Sequence, residues 1–364
     1  MRQKLQLLQI SRGFAALLVI LFHLQDTSIT YFKVTAFNDF FSFGNLGVDY
    51  FFVLSGFIIT YVHYSDLVNG TNPFTFLKKR FIRIYPTYWA IASITLIMLI
   101  FALHGKSPHL DHDINLKSFS EWLYLLGCYL LLPMKSLYFL QLAWTLSYEM
   151  IFYLIFFTGI ILGFKKAKIL LGIWLFLIIV QIPFKGFHGV FFDRLLNGIN
   201  LEFMAGCLVA YLIKNSLRIP KWVSYFLLIS IPLIFYFKMY VYNIGTERDF
   251  FNLILLVLFN GFLLYNIVAI DIYKEIKSPQ LLLLVGEATY SIYLSHTFFL
   301  GVLGRAFSKC ITLLHITNGF LIQSILIIIF LLSVLGGIIC FKYLETPLIR
   351  FSNRIFKSKK TSVT

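Results

Sequence analysis

The chain has 364 residues, of which 59% are hydrophobic and 13% charged, and its mean hydropathy is +0.83. That composition excludes an ordinary soluble enzyme and marks an integral membrane protein. The formal charge of +15 would suggest nucleic acid in a soluble chain, but here the cations are dispersed over short loops and the tail, so no nucleic-acid partner is expected.

Apolar segments long enough to cross a bilayer recur down the whole chain. They predict an all-α, polytopic integral membrane protein of about ten transmembrane helices, near 8–26, 46–64, 86–104, 140–163, 168–184, 195–213, 221–240, 250–270, 281–303 and 319–343. The first span follows Arg2 and Lys4 like a secretory signal, yet Arg12 and His23 interrupt it and no small-residue cleavage site follows, so it is read as a retained helix. A shorter apolar piece at 122–132, ending at Pro133, suits an interfacial or re-entrant helix. Cytoplasmic loops carry the excess of Lys and Arg. With the N-terminus inside, inner segments hold 20 basic residues and outer ones 10, so both termini are expected in the cytoplasm. Residues 1–351 then form the membrane domain, and 352–364 a basic cytoplasmic tail able to touch anionic lipid. Cys128, Cys207, Cys310 and Cys340 lack paired spacing, so neither a disulfide framework nor a metal site is expected.

Ionisable groups inside a span are costly and mark function or a buried partner. Arg12 and His23 lie eleven residues apart in the first span. That is close to three helical turns, so they share a face about 16 Å apart along the axis. At the inner face, Lys78-Lys79-Arg80-Phe81-Ile82-Arg83-Ile84-Tyr85-Pro86 precedes the third span. It reads as a positive-inside anchor, but Arg80 and Arg83 at helical spacing add to Arg12, and three guanidinium groups suit the phosphates of a cytoplasmic donor.

An outer layer gathers groups that move protons: His23, Asp49 at the start of span two, Glu149 early in span four and His296 in span nine. Each alone has a plain structural explanation: a packing histidine, a helix-capping Asp49, a Glu149 paired with an arginine. Four in so uncharged a chain point instead to catalysis, with a carboxylate orienting the His23 imidazole. Ser55, Ser147 and Tyr293 are candidate donors to a developing oxyanion.

Six elements occur in one order: Arg12 with His23; Gly47-Val48-Asp49-Tyr50-Phe51-Phe52-Val53-Leu54-Ser55-Gly56-Phe57; Arg80-Phe81-Ile82-Arg83-Ile84-Tyr85-Pro86; Trp144-Thr145-Leu146-Ser147-Tyr148-Glu149; Tyr290-Ser291-Ile292-Tyr293-Leu294-Ser295-His296; and Tyr343-Leu344-Glu345-Thr346-Pro347. Over about residues 5–351 the chain resembles the membrane-bound acyltransferase family 3, most of all its exopolysaccharide and O-antigen O-acetyltransferases. The resemblance implies transfer of an acyl group, usually acetyl from acetyl-CoA on the cytoplasmic side, to a hydroxyl of a cell-surface polysaccharide, lipopolysaccharide or lipid-linked precursor, in the bacterial inner membrane. His23 matches the family's essential histidine, Arg12 its partner arginine, Arg80 and Arg83 its donor-binding motif, and Glu149 an acidic position.

On this reading His23, Arg12, Glu149 and Asp49 are catalytic. Arg80, Arg83, Arg12, Ser55 and Tyr85 bind the acyl donor, while Trp144, Tyr293 and His296 bind the acceptor. The partners expected are acyl-CoA, a glycan or lipid-linked glycan, membrane lipids and, because the chain ends about 20 residues after the last span, a separate envelope protein. The competing reading is a transporter of glycan intermediates or small acids with an intramembrane His, Glu and Arg relay.

Overall fold

The computed structural model describes residues 5–105, 110, 112–181, 189–217, 219–236, 250–273, 277–315 and 317–357. Among these, every regular element is helical. Four helices lead the chain: α1 (Gln6–Phe32), α2 (Leu46–Asn69), α3 (Pro73–Leu103) and the short α4 (Phe119–Tyr129). Then come α5 (Ala143–Leu162), α6 (Phe164–Gln181), α7 (Val190–Leu195), α8 (Asn200–Lys214) and α9 (Lys221–Tyr236). The chain closes with α10 (Phe250–Tyr273), α11 (Gln280–Glu287), α12 (Thr289–Leu313), α13 (Gly319–Cys340) and α14 (Thr346–Lys357). Helices satisfy their own backbone groups, which lipid cannot do for them.

Six helical stretches among the described residues are long and apolar enough to cross a bilayer: Gln6–Phe32, Ser42–Asn69, Pro73–Leu103, Ala143–Leu162, Phe250–Ile272 and Gly319–Phe356. The other four expected spans fall on helices that miss these criteria for specific reasons. The fifth lies on α6, whose first turns carry Lys165, Lys166 and Lys168. The sixth lies on α8, only 15 residues long, and the seventh on α9, 16 residues long. The ninth divides at Ala288 into the short α11 and α12, which is 25 residues long but carries His296, Arg305 and Lys309 among many Ser, Thr and Tyr residues. Residues 182–184 and 237–240 of the expected spans, and 358–364 of the expected tail, lie outside the described residues.

The third span also begins earlier than its sequence implies. Pro73 opens α3, where its fixed φ and missing N–H cost nothing, while Pro86 is absorbed inside the helix. The Arg80 to Pro86 element is therefore mid-helix and not a loop before the membrane. The 122–132 piece is helical as α4 up to Tyr129, and the last span continues from α13 through a π-helical turn, Phe341–Glu345, into α14.

Backbone contacts divide the chain into two units: Met1–Leu8, Asp49–Lys78 and Trp122–Ile276 form one, and Gln9–Val48, Lys79–Glu121 and Lys277–Thr364 the other. In the first unit α8 packs on α10 and α5 on α6 and α8. The α2 to α8 approach is backbone to backbone. A Cβ on Gly206 would lie 1.9 Å from the Val53 carbonyl oxygen, and one on Gly56 would lie 2.0 Å from that of Phe203. Phe52, Phe152 and Phe203 pack beside this crossing, the last two stacked at 4.7 Å. Gly206→Ala is therefore expected to cost about 3 kcal/mol by overpacking. Gly172→Ala, whose Cβ meets nothing within 4 Å, should not destabilise, and thermal unfolding of the detergent-purified proteins compares the two.

Non-local hydrogen bonds fix helix ends. In the first unit the buried Asp271 carboxylate accepts from the Leu7 and Leu8 amides at 2.9 and 2.8 Å, satisfying donors that the first turn of α1 leaves over. In the second unit α12 packs on α13, with Gly336 and Gly337 admitting Phe299 and Ile292. Gln323 of α13 donates to the Thr35 carbonyl and accepts from the Phe37 amide, holding the turn that follows α1.

Candidate active site

The second unit brings two imidazoles together. His23, on the third helical repeat of α1 above Arg12, lies with its ring centroid 5.2 Å from that of His296 on α12. His296 is fully buried and His23 keeps 15% side-chain exposure, so neither points out into lipid. The His296 Nδ1 sits 2.6 Å from the Tyr293 carbonyl oxygen. A carbonyl only accepts, so Nδ1 carries the proton and Nε2 is the accepting nitrogen of the neutral ring. That Nε2 is buried and has no hydrogen-bond partner among the described residues.

A carboxylate stands beside His23 on its own helix. Asp26, one turn along α1, places Oδ2 3.6 Å from the His23 Nδ1. This is longer than a hydrogen bond but within ion-pair reach of a protonated ring. The i, i+3 spacing makes Asp26 a neighbour of His23 on any helix, a signal present in the sequence.

Arg12 lies eleven residues toward the N-terminus of α1, half-buried, with Nη1 donating to Gln9 Oε1 at 3.2 Å. Arg80 is half-buried on α3, and Tyr85 stacks on Phe81 at 4.9 Å and leans on Trp89 at 5.3 Å along the same helix. Arg83 has a definite partner: its Nη1 donates to Oε1 of the fully buried Glu345. The other Glu345 oxygen accepts from the Ser291 hydroxyl at 2.6 Å. Tyr290 stands beneath the Arg83 guanidinium at 5.4 Å and donates to the Ile84 carbonyl. Three of the six sequence elements thus meet at one carboxylate, which the π-turn aims inward, and such turns recur at functional sites. Ser291 precedes His296 by five residues, so this ion pair lies about 8 Å from the imidazoles along α12.

The remaining predicted residues belong to the first unit. Glu149 Oε1 accepts from the Ser55 hydroxyl at 2.7 Å and the Tyr153 hydroxyl at 2.5 Å. Ser147 likewise donates to the Trp144 carbonyl at 2.9 Å. Each serine has one hydroxyl proton, so the donations of Ser55 and Ser147 in this structure are already made. Trp144 packs on Phe52 and Tyr148, and the Arg194 guanidinium lies 4.8 Å over the Tyr148 ring. In the loop before α5, burial pushes the Tyr138 phenol above its usual range, opposed by its bond to Ser147 and the nearby Arg194 charge. Asp49 is fully buried in the first turn of α2. The structure therefore groups His23, His296, Tyr293, Arg12, Arg80, Arg83 and Tyr85 in one unit, and Asp49, Ser55, Trp144 and Glu149 in the other. Tyr153 and Glu345 are the added partners that sequence reasoning gave no role.

The paired imidazoles and the arginines of one unit thus lie on helices of a multi-pass membrane protein. Residues 7–342 match the model of the family described as acyltransferase domain, acyltransferase family 3, and the chain belongs to that family. It is 28% identical over 318 residues to the exopolysaccharide production protein ExoZ of Rhizobium meliloti (strain 1021), covering 85% of this chain and 91% of that protein. It is 25% identical over 394 residues to the O-acetyltransferase OatA of Staphylococcus aureus (strain MRSA252), covering 96% of this chain but 58% of OatA. A putative acetyltransferase, ORF330 of Acidianus two-tailed virus, is 27% identical over 310 residues, with 80% of this chain and 83% of that protein covered. No solved structure matches.

Proposed function

We propose that the protein is an O-acyltransferase of the bacterial inner membrane, with ten crossings and both termini cytoplasmic. It takes an acyl group, acetyl above all, from acyl-CoA on the cytoplasmic side and places it on a hydroxyl of a cell-surface polysaccharide or its lipid-linked precursor. The single observation that carries this reading is the His23 and His296 pair, 5.2 Å apart, in the same unit as Arg12, Arg80 and Arg83. The printed names of the relatives, an O-acetyltransferase and an exopolysaccharide production protein, support the acyl group and the acceptor class.

His23 is the base. The acceptor oxygen attacks the thioester carbonyl carbon as His23 takes the hydroxyl proton, the C–S bond breaks, and the imidazolium returns the proton to the departing thiolate. Asp26 stabilises the imidazolium, and the neutral His296 ring packs against the His23 ring and holds its orientation. Arg80 and Arg12 bind the donor's phosphates. Arg83 is held by Glu345, and its role is to set the shape of that layer. A thioester is activated already, so a base and hydrogen-bond donors suffice and the reaction calls for no metal. An envelope partner presents the polymer.

Purified protein given radiolabelled acetyl-CoA and lipid-linked glycan should transfer label to the glycan. Release of free CoA without acceptor, stoichiometric with enzyme, marks an acyl-imidazole on His23, whereas its absence marks direct transfer. Arg80→Ala should raise the KM for acetyl-CoA about tenfold with kcat little changed, the loss of one charge-assisted phosphate contact. Flux of glycan into vesicles without acyl turnover would overturn the enzyme in favour of transport.

A further inference from the structure

The first unit also encloses a cavity of about 660 Å³, remote in chemistry from the imidazoles and arginines. Its walls come from α5, α6, α8, α10 and the end of α2. On α6 they run from Lys168 to Ile179, and on α8 from Leu201 to Leu212. Each covers eleven helical steps, about 16 Å along a helix. That matches one leaflet, half of a hydrocarbon core of about 30 Å.

The two ends differ. At one, Lys168, Tyr64, Tyr211 and Tyr265 face the cavity. The Tyr64 hydroxyl accepts from the Asn215 amide at 3.2 Å, and that of Tyr265 accepts from the Ile219 amide at 2.9 Å, which fixes both rings. The Lys168 ammonium lies 5.0 Å from the Phe164 ring, close behind Lys165 and Lys166 in sequence. At the other end Phe152, Ile179, Leu201 and Ile254 leave only hydrocarbon. Midway, Thr60 donates to the Cys207 sulfur at 3.2 Å, so that pair is already satisfied.

Protein interiors are packed to crystal-like density, and a space this large is not left empty. Water needs several polar partners, and away from the Lys168 end these walls offer almost none, so the filler there is apolar. Leu175, Ile179, Leu208 and Leu258 of the same walls are exposed, so the cavity opens sideways toward the lipid tails. The lysine and three tyrosines at one end give that filler an anionic head.

We propose that this cavity binds one acyl chain of an anionic phospholipid, with the lipid phosphate held at the Lys168 end. The site is independent of the acyl-transfer reading and stands or falls without it.

The test is native mass spectrometry of the full-length purified protein incubated with equal amounts of phosphatidylglycerol and phosphatidylcholine of the same chain length. The wild type should retain one phosphatidylglycerol in preference to phosphatidylcholine. Lys168→Gln should lower that preference about fivefold while an acyl chain is still retained, the effect of removing one lysine near a lipid surface. Gly172→Trp should lower retention of either lipid at least tenfold, since a side chain at Gly172 grows into open space without touching backbone. Should that variant lose monodispersity, Gly261→Leu, whose Cβ meets only the Ala205 methyl at 3.8 Å, fills the opposite wall. Equal retention of both lipids by the wild type, or retention unaltered in the filled variant, overturns the proposal.

Discussion

His23→Ala is expected to lower acyl transfer at least a thousandfold while the protein still inserts and purifies as a monodisperse species. Loss of a general base costs typically 10²–10⁴-fold. The upper part of that range applies because His296 cannot substitute: its ring is fully buried and its Nε2 is shut away from solvent. Asp26→Asn is expected to cost about tenfold, since a carboxylate 3.6 Å away and half open to solvent stabilises the imidazolium through a screened charge. The ratio of the two effects is informative. If Asp26→Asn proved as damaging as His23→Ala, the carboxylate would be a working partner in proton transfer and not a bystander. If His23→Ala kept wild-type turnover, the base would lie elsewhere and the assignment of the site would fail.

Glu345→Ala is expected to be the most destabilising single change at the site, by about 3 kcal/mol in thermal or denaturant unfolding. Removing one partner of a buried ion pair strands the other charge, which costs about 3–5 kcal/mol. The lower figure applies because the Arg83 side chain is 36% exposed and regains some solvation. Ser291 also loses its acceptor. The double variant Arg83→Met with Glu345→Leu should recover most of the loss, because replacing both charges by apolar groups is often neutral. A donor-binding role for Arg83 would appear separately, as a raised KM for acetyl-CoA in the stabilised double variant. Non-recovery would mean that the π-turn needs the carboxylate itself.

Part of this site was legible in the sequence. The class of protein followed from composition, because a chain with so little polar surface has only the bilayer to live in. The first helix placed Arg12 and His23 on one face, since eleven residues close nearly three turns wherever the helix lies. The same arithmetic would have found Asp26. The order of the six short elements also held the family, because motif order is a property of the chain and needs no contact.

Other parts were not legible. Six of the ten expected spans fall on helices long and apolar enough to cross, whereas Ala288 divides another and three lysines stand at the start of a further one. Pro86 reads as a boundary in sequence and is interior to α3 in space. Ser55 looks like a spare donor until Glu149, 94 residues on, is found to take its proton.

By itself, then, the sequence determined what is local or compositional: a membrane protein, its helices, and the spacing of Arg12, His23 and Asp26. Only the tertiary structure decided the pairings: His23 with His296, Arg83 with Glu345 across 262 residues, Glu149 with Ser55 and Tyr153, and a lipid-sized cavity in one unit. The reason is physical. Helical periodicity is fixed by backbone geometry within a few turns, whereas the partner of a buried charge is chosen by which helices pack, and that choice depends on close approaches such as Gly56 with Gly206, which carry no charge and announce no partner.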